Sequence, residues 1–172
     1  KPSEKSAEFW VKPYLELFRL VRHFGSLKFD ELMFFGLQLV DYREFDEITQ
    51  KVNDFRTAKA QNEGNYKKFR KEYLDKELRE IYQDDIIAGN TKTRETNDKS
   101  ISKFLKTKAS NMRDYADACI RYLRATGLVN ISHIGKSVSI APEKIQEVDY
   151  FLEHTNREPV FIENEKEYIN YL

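Results

Sequence analysis

Apolar residues recur with a helical period over the first third of the chain. Between Tyr14 and Phe24 they occupy every third or fourth position, which predicts a helix that Gly25 ends. The stretch SLKFDELMFFGLQLV then predicts a short extended piece followed by a compact apolar helix. Asp41 and Glu44 form a D-x-x-E capping pattern before a third helix. Residues 1–60 therefore predict a three-helix unit of the kind on which helix-turn-helix domains are built.

Residues 61–106 predict a helical insertion. Aromatic and apolar residues keep an approximate helical period between Tyr66 and Ile81, and lysines and arginines crowd the remaining positions. These basic residues favour either a solvated helix face or contact with phosphates. The segment GNTKTRETNDKS within residues 89–100 has no large apolar side chain, so we expect a mobile polar loop outside the core. Lys92 and Arg94 in this loop are of the type that contacts a phosphate backbone.

Residues 107–141 predict one long helix followed by a β-hairpin. A small apolar stripe repeats at helical spacing and ends before Gly127, which is typical of a helix C-terminus. Two short runs then alternate apolar and polar residues on either side of Gly135, with Lys136 at the tip. The fold class expected from this pattern is mainly α, a helical bundle with winged-helix features and one small hairpin wing. The stripe consists of Ala109, Met112, Ala116, Cys119 and Leu123.

Residues 142–172 predict a further helix and the start of a linker. Pro142 and Glu143 suit the first turn of a helix. The tail REPVFIENEKEYINYL predicts a short strand or turn and then a terminal helix. Because the chain begins KPSEKS without an initiator Met, we expect it to be part of a longer protein.

The zero net charge of the chain is a cancellation between segments. Residues 92–136 carry 10 Lys/Arg against 4 Asp/Glu, whereas residues 137–172 carry 3 against 8. A local basic stretch binds a polyanion whatever the total charge, since screening limits each contact to about 10 Å. The single cysteine, Cys119, is expected to be buried and fits a reducing, cytoplasmic setting. No apolar run reaches the length of a membrane helix, so no membrane partner is expected.

The sequence offers no pattern for catalysis or metal binding. A magnesium-dependent nuclease site pairs an Asp with a Glu-x-Lys or Asp-x-Lys on neighbouring strands, and no Asp or Glu here has Lys two positions later. His23, His133 and His154 are scattered, without ligand spacing, and are expected to be structural or surface residues. We therefore predict no catalytic and no metal-binding residues within this chain.

Two blocks of the sequence resemble the AlwI-like type IIS restriction endonucleases and their nicking relatives. The first is RHFGSLKFDELMFFGLQLVDYREFDEITQKVNDFR, and the second is KTKASNMRDYADACIRYLRATGLV with APEK after the hairpin. The second block is the more specific, and the resemblance covers about Trp10 to Thr155. Where the family has Asn before the proline, this chain has Ala141, which weakens the helix cap there.

The resemblance implies a double-stranded DNA recognition module of a prokaryotic, type IIS or nicking endonuclease. It further implies that this chain is the second recognition subdomain of such an enzyme. The implied intramolecular partner is a magnesium-dependent nuclease domain of the same protein, and no cofactor is expected in this chain itself. On this basis the long helix and the hairpin are expected to contact DNA. The predicted contacts are Lys106, Lys108, Asn111, Arg113, Arg121, Lys136 and Ser137, together with Lys92 and Arg94 of the polar loop.

Two other functions compete with DNA recognition. A helical interaction module that docks and restrains the nuclease domain would use the same fold, with the acidic segment 143–167 as its surface. An autonomous enzyme is the third interpretation, and it requires turnover without any further domain. Steep salt dependence of DNA binding separates the first function from the second.

Overall fold

Helices dominate the computed structural model, which describes residues 8–9, 13–39, 41–91, 97–134, 136–157 and 160–161. None of the helices in these ranges is both long and apolar enough to span a membrane. The α-helices of the described ranges are α1 (Pro13–Phe24), α2 (Phe29–Glu31, continued by a π-helical turn over Leu32–Gly36), α3 (Phe45–Gln61), α4 (Tyr66–Ile81), α5 (Gln83–Ile87), α6 (Asp98–Ala125) and α7 (Ile145–His154). Short 3-10 turns lie at Tyr42–Glu44, Glu63–Asn65 and Pro142–Lys144.

Five short strands form two antiparallel sheets in the described ranges. The strands are β1 (Glu8–Phe9), β2 (Ser26–Lys28), β3 (Val129–Ser132), β4 (Ser137–Ile140) and β5 (Val160–Phe161). One sheet pairs β1 with β5, and the other has the order β2-β4-β3. The prediction of a mainly helical fold with a small hairpin is thus confirmed at this level. The terminal helix predicted after β5 lies outside the described residues.

The predicted hairpin is β3 and β4, but it belongs to a sheet of three strands. Ile131 pairs with Val138 within the hairpin, and Leu27 of β2 pairs with Val138 from the other side. Leu27 and Val138 are buried, so the apolar face of the hairpin packs on the core as its alternation predicted. The sequence indicated an extended piece at β2 without a partner, because pairing between distant segments leaves no local signal.

The apolar stripe of α6 is buried as predicted. Met112, Ala116, Cys119 and Leu123 are all buried, and Ala109 is partly buried against them. Burial raises the pKa of the Cys119 thiol to about 11, so the thiol stays protonated at neutral pH. The buried core runs from Leu17 to Leu152 and draws on all four predicted segments. The division of the chain into those segments remains a prediction.

The polar loop before α6 is shorter than predicted. The side chain of Asn97 accepts a hydrogen bond from the backbone N–H of Ser100, so α6 begins at Asp98, within the segment 89–100 predicted to be a loop. At the other end of the loop, Thr91 is only 4% exposed, so the expectation that this segment stays outside the core is wrong at Thr91. The predicted contact residues Lys92 and Arg94 lie outside the described residues.

An aromatic cluster joins the helical insertion to the first three helices. The Phe55 ring of α3 lies 4.9 Å from the Tyr73 ring of α4 and 5.4 Å from the Phe34 ring, measured between centroids. The ring of Phe69 stacks on Phe55 at 5.7 Å. Edge-to-face and stacked pairs of this kind add to the burial of apolar area. They hold the first turns of α4 close to α2 and α3.

A buried ion pair fixes β2 against α3. The Glu31 side chain is 3% exposed, and its carboxylate accepts from Arg56 Nε and Nη2 at 2.9 Å each. The same carboxylate accepts the backbone N–H of Lys28 at 2.8 Å, and Arg56 Nη2 donates to the carbonyl of Ser26 at 2.8 Å. The guanidinium also lies 4.5 Å from the centroid of the Phe24 ring. One arginine thus satisfies a buried carboxylate and a strand carbonyl together.

Replacement of Arg56 by alanine is expected to destabilise the fold by about 2–3 kcal/mol. The change leaves a buried carboxylate unpaired, which costs about 3–5 kcal/mol in a fully buried pair. The expected loss is smaller because 35% of the Arg56 side chain is exposed. Urea unfolding of Arg56→Ala measures the loss. Arg79→Ala is the control, because its ion pair with Asp75 is half exposed and contributes about 0.5 kcal/mol or less. Equal losses in the two variants would contradict the importance of the Glu31–Arg56 pair.

Candidate functional site

Two concave surfaces flank the tip of the hairpin. The first, which we call the hairpin groove, lies between α6 and the hairpin and encloses about 760 Å³. Its apolar lining residues come from β2, α2, the π turn, α6 and the hairpin strands, and its charged lining residues come from α6 and the hairpin. The lining residues are Leu27, Phe29, Leu32, Asp114, Asp117, Ile120, Arg121, Arg124, Ile131, Ser132, His133, Lys136, Ser137 and Val138.

The hairpin groove mixes positive and negative side chains. Arg121 and Arg124 project from α6 beside Asp114 and Asp117, and Arg124 Nη2 lies 3.3 Å from His133 Nε2. No ion pair joins these two aspartates to an arginine within the described residues. The groove therefore offers both hydrogen-bond donors and acceptors to a ligand.

The second surface, which we call the basic groove, lies on the other side of the hairpin tip and encloses about 600 Å³. Six of its ten lining residues are lysines or arginines, contributed by β2, α3, α4, α6 and the hairpin. Asp30 is its only carboxylate among the described residues. The lining residues are Lys28, Phe29, Asp30, Lys59, Tyr66, Lys67, Arg70, Arg113, Ile134 and Lys136.

The single carboxylate of the basic groove is already neutralised. Arg70 lies 2.7 Å from Asp30, and the Tyr66 hydroxyl donates to the other Asp30 oxygen. Burial alone would raise the pKa of Asp30, but the hydrogen bonds from Arg70 and Tyr66 hold that pKa below its usual value. Burial and the neighbouring Asp30 raise the pKa of Tyr66, so its hydroxyl stays a donor. The remaining lysines and arginines thus dominate the potential of the groove.

The structure brings part of the predicted contact set together at these grooves. Lys136 lines both grooves, Arg113 lines the basic groove, and Arg121 and Ser137 line the hairpin groove. Within the described residues no ion pair engages Arg113, Arg121 or Lys136. Lys106 is exposed on the same side of α6 as Arg113, about 10 Å further toward the N-terminus.

Two predicted residues lie elsewhere. The Lys108 ammonium lies 4.4 Å from the centroid of the Tyr82 ring and 5.1 Å from that of Phe104, so it packs against aromatic rings away from the hairpin. Asn111 is exposed but lies about 160° around the helix axis from Arg113. A contact between either residue and a ligand in the two grooves has no support in this geometry, and both remain predictions.

Four groove residues were absent from the predicted contact set. Lys67 and Arg70 belong to the basic helix for which the sequence left phosphate contact open, whereas Lys28 and Lys59 carried no signal. Lys59, Lys67 and Arg70 meet Arg113 and Lys136 because α4 folds back on α3 through the aromatic cluster. Lys28 reaches the same groove because β2 pairs with β4. The Lys59 ammonium also lies 4.7 Å from the centroid of the Tyr66 ring. Such convergence depends on tertiary packing, so no local pattern could have revealed it.

The fold and the site define a mainly helical protein with a concave basic surface complementary in charge to an extended anion. A family model for AlwI restriction endonuclease matches residues 2–172. The chain therefore belongs to the AlwI restriction endonuclease family. No curated protein matches the sequence. Within the described residues, no three His, Cys, Asp or Glu side chains group as a metal site would require.

Asp30→Asn is expected to cost about 1–3 kcal/mol at pH 7, because it removes charge-assisted hydrogen bonds to Arg70 and Tyr66. The folded-state pKa of Asp30 lies below the unfolded value near 3.8, so its stabilisation is present above about pH 4 and declines as the pH falls through the folded pKa. Urea unfolding should therefore show the two proteins converging toward the lowest pH at which both fold. Asp75→Asn, at an exposed pair, is the control. A pH-independent difference would contradict this account.

Proposed function

We propose that this chain recognises double-stranded DNA as part of a type IIS restriction or nicking endonuclease. The observation that carries the proposal is the basic groove, where six lysines and arginines from distant parts of the sequence converge beside the hairpin tip. Its one carboxylate is paired with Arg70. Membership of a restriction endonuclease family makes DNA the natural polyanion for this surface.

The order of elements supports a winged-helix interpretation. Helix α1 leads into β2, α2 follows, α6 leads directly into the hairpin, and the sheet has the order β2-β4-β3. In this interpretation the insertion between α2 and α6 includes α3 as well as α4 and α5, so it begins earlier than the predicted residues 61–106. In this interpretation α6 is the helix presented to DNA and the hairpin is the wing beside it. Arg113 and Arg121 on α6 flank the tip residue Lys136, as a joint helix and wing interface requires.

The two grooves suit different parts of a duplex. Phosphates are bound by positively charged side chains, and the basic groove presents Lys67, Arg113 and Lys136 for this purpose. Base edges present donors and acceptors in turn, and the hairpin groove offers both through Arg121 and Asp117. An arginine that binds a guanine edge with two hydrogen bonds contributes about 1–3 kcal/mol of discrimination. In this proposal the basic groove provides most of the affinity for DNA, and the hairpin groove provides the sequence preference.

Cleavage is proposed to occur in a magnesium-dependent nuclease domain of the same protein rather than in these residues. The absence of a Glu-x-Lys or Asp-x-Lys pattern from the sequence supports this assignment. The absence of a carboxylate or histidine cluster among the described residues supports it too. The chain's proposed contribution to the reaction is to select and orient the duplex.

A docking role is the second candidate, and α7 is the surface that favours it. Tyr150 is 60% exposed and Phe151 46%, on a helix that also carries Glu147 and Glu153. Exposed aromatic residues with a charged rim are typical of protein interfaces. This role predicts little DNA affinity and association with the nuclease domain through α7.

The proposed function predicts salt-dependent DNA binding that depends on Arg113 and Lys136. Fluorescence anisotropy of a labelled random-sequence duplex, titrated at 50 and 200 mM salt, measures the affinity and its salt slope. Arg113→Ala with Lys136→Ala should weaken binding and reduce the slope by about 2, because each phosphate contact accounts for about one unit. No binding by the unaltered chain at low salt would overturn DNA recognition and favour the docking role.

A matched pair on α4 tests whether the basic groove itself holds the duplex. Lys67 lines the groove, whereas its neighbour Lys68 does not and pairs with Glu72 at 3.8 Å. Lys67→Ala is expected to weaken binding to all sequences alike and to lower the salt slope by about 1. Lys68→Ala makes the same change in net charge and is expected to leave the slope unaltered. Equal effects of the two substitutions on the same titration would indicate a general charge effect instead.

A further inference from the structure

The most exposed large apolar side chain of the described residues is at the hairpin tip. Ile134 has a relative accessibility of 102%, and the next, Ile87 on α5, has 72%. Isoleucine is disfavoured in turns, where glycine, asparagine, aspartate and serine suit the backbone. Single exposed apolar residues are common on protein surfaces, so exposure alone implies nothing. The setting of Ile134 is what distinguishes it.

The tip is held firmly on its β4 side. Ser132 and Ser137 pair at the end of the hairpin, and β4 is held on its other edge by β2. At the tip itself, the backbone N–H of Phe29 donates to the carbonyl of Lys136 at 2.7 Å. Lys136 also has a φ of 45°, a left-handed conformation that lysine rarely adopts. A side chain on such a support loses little freedom when it is inserted into a ligand.

The residues around Ile134 indicate what kind of ligand it contacts. Ile134 lines the basic groove together with Arg113, Lys67 and Lys136, so a partner that contacts all four residues presents negative charge beside an apolar surface. A duplex has this arrangement in its minor groove, where phosphates border a stack of bases. Apolar side chains that enter this groove separate two base pairs and bend the DNA. The bend is least costly at flexible steps such as TA.

We propose that Ile134 is an apolar wedge that enters the minor groove and opens one base step while the basic groove holds the adjacent phosphates. This inference rests on the proposed DNA recognition. The hairpin tip would then prefer DNA with a deformable base step at the point of insertion. Such a preference contributes to specificity without any hydrogen bond to a base. A wedge also requires the minor groove to widen, since that groove is only about 6 Å across in undistorted DNA.

The test uses two 20-base-pair duplexes, one with a single TA step in a stiff background and one without it. The TA duplex carries 2-aminopurine at that step, whose fluorescence rises when the base loses its stacking, and dyes at both ends report bending by energy transfer. The unaltered chain is expected to raise the 2-aminopurine signal, bend the TA duplex and bind it more tightly. Ile134→Ala should abolish both signals and weaken binding to the TA duplex about tenfold, with the salt slope unchanged.

Two variants control for side effects. Ile87→Ala removes an exposed isoleucine outside both grooves and should behave as the unaltered chain. Ile134→Met keeps an apolar wedge and should retain the 2-aminopurine signal. If Ile134→Ala opens and bends the TA duplex as the unaltered chain does, the wedge is refuted while DNA recognition stands. If the unaltered chain shows no salt-sensitive binding to either duplex, DNA recognition fails and the wedge fails with it.

Discussion

The position of the hairpin depends on one buried carboxylate. Glu31 accepts the backbone N–H of Lys28 and two nitrogens of Arg56, and Arg56 donates in turn to the carbonyl of Ser26. Both ends of β2 are therefore fixed to α2 and α3. Since β2 pairs with β4, the same network determines where the hairpin and its tip stand relative to α6. The exposed ion pairs have a smaller effect. Two of them join neighbouring turns of one helix, and Arg22–Asp149 joins exposed side chains of α1 and α7.

Features confined to one element were predictable from the sequence. The buried stripe of α6 follows from spacing, the hairpin from alternation, and the helix ends from Gly25 and Gly127, which have φ values of 72° and 70°. The third strand and the basic groove were not predictable, because each requires segments far apart in the chain to meet. Lys28, Lys59 and Lys67 share a surface only after α3 and α4 pack on the aromatic cluster.

The helical period of α6 separates residues that the predicted contact set combines. Lys108 and Asn111 share a basic stretch with Arg113 but lie at different angles around the helix axis. Residues two apart point to nearly opposite sides, so Asn111 and Arg113 cannot both face one groove. Lys108 further depends on the rings of Tyr82 and Phe104, whose position is again a matter of tertiary packing. The spacing of two residues therefore predicts whether they lie on the same side of a helix, but the tertiary fold determines what that side contacts.

The distribution of charge is more asymmetric in the fold than in the sequence. On α7 and the turn before it, Asp149 pairs with Arg22 of α1 and Glu147 pairs with Lys144, so the acidic segment is partly neutralised. Arg113, Arg121 and Lys136 have no such ion-pair partner among the described residues. On the side of the molecule that carries the basic groove, the positive charges therefore exceed the negative ones. Because screening confines each charge to about 10 Å, an approaching polyanion responds to that side and not to the zero net charge.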